Sequence, residues 1–499
     1  MNVTRRDFIR SSAALAGGMI LSGCATRSRS AERPTDRLVP ELVNDVHSQL
    51  NPTTVAGVLH PRDEGDLIGI VQRTARERGS LSVCGGRHAA GGQQFLTDRV
   101  LIDLDSMRTE PRFDPQRGLI TLRAGARWPE VFDEIDRANG RHGTNWAIHQ
   151  KQGGGDQLTL GGAVASNIHN RCLDAKPFVA DVESLRLIGA DGRARTISRE
   201  RDRDLFMLAI GGYGLFGVVS EVTLRLVPRK KLRLSAIRCR GNAVLPTHEE
   251  LKKRGATHGD WQFAIDPTSD GFLDDGILTS YAPVADSELV TRGAFNPAAL
   301  VDLAVLAHAQ PGKAYEVFAE SWKQCDGWVE YCDRWQTSDY VPDYHALVDQ
   351  RIGATVKGSE TLAEFYVPLA RLTEFLSRAA ASLRQTSAKQ VYGVVRLVRR
   401  DDETFLNWAR EDQACVILNL HVDHTPKGID AVNRQLRAVA QIAVEFGGRF
   451  YLTYGRFATR EQLLAGYPQL PEFLSLKRRH DPREVFQSNW YAWLKTTVA

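Results

Sequence analysis

The sequence predicts an α+β protein: an N-terminal domain of short β-loop-β and βα units, then an antiparallel sheet with helices on one face. Three observations carry that expectation. The chain has 499 residues, more than a single hydrophobic core usually serves. Three glycine clusters, at 85–92, 153–162 and 211–217, fall in the first half, the first directly after a strand-like run. From residue 359 the pattern becomes β-α-β-β-α, the order of a two-layer α+β domain.

Taken in order, residues 1–24 read as an export signal. Arg5-Arg6 precedes an apolar run, Ala13 to Leu21, that is too short to span a membrane. Paired arginines ahead of such a run match the twin-arginine type, which exports proteins already folded. Leu21-Ser22-Gly23-Cys24 has the form of a lipobox, which would leave a lipid-bearing Cys24 as a membrane tether. Ordinary cleavage with Cys24 incidental is the alternative. Residues 25–37, rich in Ser, Arg and Thr, then form a flexible tether. The expected compartment is the periplasm, and the folded part divides into 38–228, 229–446 and an arm, 447–499, that returns to the first domain.

Residues 63–78 place Leu67, Ile70 and Val71 on one helical face, and Gly79 ends the helix. The strand 81–84 runs into Gly85-Gly86-Arg87-His88-Ala89-Ala90-Gly91-Gly92-Gln93. Glycines at that density let backbone N–H groups converge on a ligand, as phosphate-holding loops do; a glycine-rich surface turn is the plain alternative. Strands at 100–104 and 119–123 follow, then a helix from Trp128 with Pro129 in its first turn. No G-x-G-x-x-G opens a helix here, so the common dinucleotide fold is excluded.

The second cluster leads into Gly161-Gly162-Ala163-Val164-Ala165-Ser166, small residues that open a helix whose first amides can meet anionic oxygens, with Asn167 and His169 beyond it. Small residues equally permit close helix packing. Strands 181–187 and 194–198 flank the Ala190-Asp191-Gly192 turn, and a helix at 204–210 reaches the third cluster. The alternating run from Val218 and Val219 to Pro228 closes the domain. Beyond it the pattern predicts strands at 261–265, 276–281, 359–368, 390–398 and 414–422, with helices at 369–384 and 428–446.

Charge excludes one class of partner. Sixty-four basic against 60 acidic residues give a net charge of +4 with no basic face, so nucleic acid is not expected. Six cysteines beyond Cys24 follow no metal or disulfide spacing, although Cys325 and Cys332 could pair in an oxidising compartment. No metal site is expected. The hydrolase signatures H-E-x-x-H and G-x-S-x-G do not occur.

In combination the motifs are more specific. Gly85-Gly86-Arg87-His88-x-x-Gly91-Gly92-Gln93, then Leu158-Thr159-Leu160-Gly161-Gly162-Ala163-x-x-Ser166-Asn167, then Asp191-Gly192, then Gly211-Gly212-x-Gly214-x-x-Gly217-Val218-Val219 resemble the vanillyl-alcohol-oxidase-like flavoproteins with a PCMH-type FAD-binding domain of two α/β subdomains. That resemblance implies FAD held by Gly85, Gly86, Arg87, His88, Ala89, Gly91, Gly92, Gln93, Gly161, Gly162, Ser166, Asn167, Gly217, Val218 and Val219. It implies oxidation of a CH–OH group of a sugar, polyol, lactone or related alcohol by hydride transfer to flavin N5. His88 matches the position that carries covalent flavin in alditol oxidase and cytokinin dehydrogenase; contact with the pyrophosphate, or packing of the loop, is the alternative role.

Gly447 to Tyr454, Tyr467 to Phe473 and Lys477 to Phe486 resemble the C-terminal arm of the group around decaprenylphosphoryl-ribose oxidase and other sugar oxidases. Against that group the chain departs at the chemistry, with Tyr454 in place of a lysine and His421 in place of an active-site cysteine. A base must take the hydroxyl proton. His421 is the first candidate, followed by Tyr454 and by His169, the latter also as a hydrogen-bonding partner of flavin or substrate. Arg396 could hold a carboxylate or a sugar hydroxyl. The electron acceptor could be a quinone, a carrier or oxygen; bulky Ile168, where oxygen-using relatives often have a small residue, favours a dehydrogenase. A flavin-binding protein without dehydrogenase activity and an amine-oxidising flavoenzyme are the alternatives.

Overall fold

The computed structural model describes residues 38–499 except 295, 339, 340 and 342; the export signal, the lipobox at Cys24 and the tether lie outside the described residues. The N-terminal half is two layers. Glu64–Arg76 forms a helix because Asp63 caps it, accepting from the Asp66 amide at 2.8 Å, and because Leu67, Ile70 and Val71 share its buried face. It links Gly57–Leu59 to Leu81–Cys84, and both strands pair in parallel with Val100–Asp103 between them. The second layer is an antiparallel sheet in the order Ala194–Ser198, Val182–Ile188, Val218–Pro228, Leu119–Arg123, Arg112–Asp114. Val218–Pro228 alternates buried and half-buried positions along most of its length, so it serves as the sheet's centre and also pairs with Trp146–Ile148.

The C-terminal half is an eight-stranded sheet, antiparallel throughout. Its order is Val329–Tyr331, Lys231–Arg240, Asp275–Pro283, His258–Phe263, Gln390–Val398, Gln413–Asp423, Gly358–Pro368, Arg449–Phe450. Helices Leu372–Gln385 and Pro426–Glu445 cover one face, where Phe365 packs against Phe375 with ring centroids 6.2 Å apart. A second group, Pro297–Ala309, Pro311–Gln324 and Tyr344–Ile352, meets the other face, because Glu360 on the opposite side of the same strand reaches His308 and His345. The sequence expectation placed helices on one face only. Pro297–Ala309 is apolar almost all round, so it lacks the stripe by which a surface helix is recognised.

From the edge strand Arg449–Phe450 the chain crosses back to the parallel sheet. The Leu81 amide donates to the Val485 carbonyl at 2.8 Å and the Gln487 amide to the Leu81 carbonyl at 3.0 Å. The helix Asn489–Val498 then buries Trp490, Tyr491 and Leu494. The six described cysteines, Cys325 and Cys332 included, are thiols. Among the described residues no helix is long and apolar enough to cross a membrane.

Candidate active site

A cleft runs between the two halves, with about 1480 Å³ of space including its open mouth. The N-terminal half supplies the loop 85–89, the segment 158–166 and the turn 217–219. The substrate sheet supplies Leu362, Glu364 and Arg396, and the arm supplies Tyr451, Thr453 and Tyr454.

The loop's shape depends on glycine. A Cβ at Gly86 would stand 2.5 Å from the Gln157 carbonyl oxygen, so this close approach to the second loop tolerates no side chain. Next to it Arg87 is held at φ 58° and anchored by Asp103 at 2.9 Å. The backbone N–H groups of Gly86, Arg87 and Ala89 have no protein acceptor among the described residues. Donors left free on one glycine loop are what a pyrophosphate requires, so the cradle fits the FAD expected from the sequence. His88 also lines the cleft, and burial, with His47 and Arg127 nearby, lowers its pKa to about 3, which keeps the imidazole neutral.

Across the cleft the sheet presents one polar group. Glu364 sits on Gly358–Pro368 with Leu362 and Tyr366 on the same face. Its Oε2 accepts from His169 Nε2 at 2.8 Å and from the Tyr366 hydroxyl at 2.7 Å, and its Oε1 accepts from the Tyr454 hydroxyl at 3.1 Å. Burial opposes the charge on Glu364, but His169, Tyr366 and Arg396 outweigh it and hold the carboxyl below its usual range. Around that carboxylate the protons stay in place. Burial first, then the Glu364 charge, raises Tyr454 and Cys415 well above their ordinary values. Cys415 Sγ lies 3.6 Å from His169 Nε2 and 3.7 Å from Glu364 Oε2.

Of the residues singled out in the sequence, Gly85, Gly86, Arg87, His88, Ala89, Gln93, Gly161, Gly162, Ser166, Gly217, Val218, Val219, His169 and Tyr454 line the cleft. Four do not. Gly91 and Gly92 sit behind the loop, where the Gly91 amide donates to Gln93 Oε1. Asn167 is buried and its side chain ties the Val179 amide to Asp401 at 2.9 Å each, so it braces the segment rather than facing a ligand. His421 is displaced furthest. It shares a face of Gln413–Asp423 with Cys415 but lies six residues on, about 20 Å along the strand. Its Nε2 pairs with Asp423 at 3.0 Å. A cysteine of this chain, Cys415, stands beside the site.

Sequence reasoning missed Glu364, Cys415, Tyr213, Tyr451, Thr453 and His47. For Glu364 a signal existed, since it is a lone carboxylate in a strand otherwise apolar or aromatic from Leu362 to Val367, and a carboxylate buried there must find partners. Cys415 lies on a predicted strand but as one more small apolar residue among its neighbours, and the remaining four come from loops and turns with no periodicity of their own.

The fold and the cleft define a class: an FAD-linked oxidoreductase in which a glycine-loop domain faces a substrate sheet. Residues 55–198 match the FAD binding domain model and residues 354–494 match the D-arabinono-1,4-lactone oxidase model. The chain is 23% identical over 440 residues to L-gulono-1,4-lactone dehydrogenase of Mycobacterium tuberculosis, covering 87% of this chain and 95% of that protein. It is 24% identical over 466 residues to decaprenylphosphoryl-beta-D-ribose oxidase of Mycolicibacterium smegmatis, covering 87% and 94%. Against L-gulonolactone oxidase of Mus musculus it is 21% identical over 434 residues, covering 86% and 93%. Together the two matches mark the chain as an FAD-dependent oxidoreductase on CH–OH donors, with a PCMH-type FAD-binding domain and an aldonolactone-oxidase-type second domain.

Proposed function

We propose that the protein is a dehydrogenase whose substrate is an aldono-1,4-lactone or a closely related sugar-derived alcohol, with His169 as the base and Glu364 as the group that orients it. The observation that carries this reading is the Glu364–His169–Tyr454 cluster, set across one cleft from the FAD cradle. Bound FAD supplies the hydride acceptor. The chain's own groups manage the proton and the orientation.

An ionised carboxylate only accepts, so Glu364 fixes the His169 proton on Nε2 and leaves the lone pair on Nδ1. Nδ1 is buried and has no hydrogen-bond partner among the described residues, which suits it to accept the proton of a substrate hydroxyl as the carbon beneath is oxidised. Tyr454 keeps its own proton and steadies the other carboxylate oxygen. Arg396, buried at the same wall with Nε unpartnered, offers a cation to the carbonyl or ring oxygens of a lactone. Ile168 also lines the cleft, and its bulk supports a quinone or carrier over oxygen as the acceptor.

Anaerobic addition of L-gulono-1,4-lactone should bleach the bound flavin within the turnover time, and reoxidation should be faster with a quinone than with air. Flavin that stays oxidised with every aldonolactone and sugar alcohol tried would remove the reading. The attachment of FAD to His88 is part of the proposal, supported by a neutral imidazole in the cleft wall. Acid precipitation should leave a yellow pellet from the native protein and a colourless one from His88→Ala. Export by the twin-arginine route and anchoring through Cys24 complete it, resting on residues 1–24 alone.

A further inference from the structure

The substrate sheet carries a second polar cluster on the same face as Glu364 but four residues along the strand, at Glu360. We propose that His308, Glu360 and His421 form a zinc site, with a fourth position open to water or a small oxygen ligand. The three come from distant parts of the chain: the last turn of Pro297–Ala309, the start of Gly358–Pro368 and the end of Gln413–Asp423. Spacing rules for metal ligands look for donors close in sequence, so none could register this group.

The geometry is that of a small closed donor set. His308 Nε2 lies 3.1 Å from Glu360 Oε1, and the donor atoms of all three residues lie within 4.8 Å of one another. Zinc bonds of about 2.0–2.1 Å in tetrahedral geometry need donors roughly 3.3 Å apart, so two are already spaced for the ion and binding would draw in the third. The His308 and His421 rings meet edge to face with centroids 4.7 Å apart. The side chains are 6%, 2% and 8% exposed for His308, Glu360 and His421. His421 Nδ1 is buried with no hydrogen-bond partner among the described residues, a donor atom with nothing to bind.

The surroundings hold these donors as metal sites hold theirs. His421 gives its other nitrogen, Nε2, to Asp423, the carboxylate–histidine arrangement that fixes the ring of a zinc ligand. The second oxygen of Glu360 accepts from the Tyr344 hydroxyl at 2.5 Å and has the His345 ring against it, with Nδ1 2.5 Å away, which leaves Oε1 to point at the imidazoles. Two nitrogens and one carboxylate oxygen favour zinc over calcium or magnesium, which take oxygen alone.

The test uses the flavin-loaded protein stripped with EDTA and titrated with zinc sulfate by calorimetry. One equivalent should bind with a dissociation constant on the order of 1 μM or tighter. The zinc-edge absorption spectrum should then show imidazole and oxygen ligation. His421→Ala and Glu360→Gln should each weaken binding by at least tenfold, and Asp423→Asn by about tenfold, with flavin absorbance and melting temperature serving as controls for the fold. No stoichiometric uptake, uptake unchanged by His421→Ala and Glu360→Gln together, or a spectrum showing sulfur ligands would overturn the proposal. The absorption spectrum reads the native protein, so it decides the matter even where a variant fails to fold.

Discussion

Glu364 governs protonation in the cleft, because one ionised carboxylate takes hydrogen bonds from His169, Tyr366 and Tyr454. Glu364→Gln keeps the shape and removes the acceptor charge that holds the His169 tautomer. We expect flavin content to persist and the rate of flavin bleaching by substrate to fall by about 10² or more, measured by stopped flow. An unchanged bleaching rate would detach Glu364 from the chemistry. At the same scale His248 is fully buried, and both its nitrogens lack partners among the described residues. Burial lowers its pKa from 6.5 to about 4. Between those values the unfolded chain binds a proton that the folded chain refuses, so stability is greatest above about pH 6.5 and falls on acidification toward 4. His88, lowered to about 3, acts in the same direction. Urea midpoints measured across that range should fall less steeply for His248→Leu than for the native protein; parallel slopes would contradict this.

At the scale of elements, the cofactor site is a contact between two loops, each delivered by its own strand or helix. Leu81–Cys84 ends at the loop 85–89, and Thr159 caps Leu160–Ser166 by accepting from the Gly162 amide. The two loops touch at Gly86 and Gln157, and backbone there cannot move aside as a flexible side chain would. Gly86→Ala should therefore lower the ratio of flavin to protein several-fold while far-ultraviolet circular dichroism stays native. Full flavin occupancy in that variant would show that the loops can part. The strand Gly358–Pro368 does two jobs by alternation: Ala363, Phe365 and Val367 make core, while Glu360, Leu362 and Glu364 face the cleft side.

At the scale of the whole molecule, the C-terminal arm joins the halves and so fixes the cleft between them. Asp481 is its anchor. Its carboxylate accepts from the Val485 and Phe486 amides at 2.9 Å each, at the point where the chain reaches Leu81, and it pairs with Lys477 Nζ at 2.5 Å in full burial. Asp481→Ala would leave the Lys477 ammonium buried without a partner, a loss of about 3–5 kcal/mol. Adding Lys477→Met should recover part of it, and both values can be read from denaturant unfolding. A single variant as stable as the native protein would show that the arm is held elsewhere.

The elements and the FAD loops were legible in the sequence because their causes are local. Leu81–Cys84, Leu119–Arg123, Ala194–Ser198 and Gln390–Val398 follow from alternation and turn residues, and the glycine clusters mark where backbone approaches backbone or ligand. The partners of those residues were not legible. Nothing near Asn167 announces that Asp401 and Val179 consume its side chain, and nothing near His421 says that Glu360 and His308 are its neighbours. Glu364 meets His169 across 195 residues and Tyr454 across 90. Local pattern reports what a residue's own strand or helix needs. Which carboxylate faces which imidazole depends on how two sheets and an arm pack, and that is a property of the assembled core.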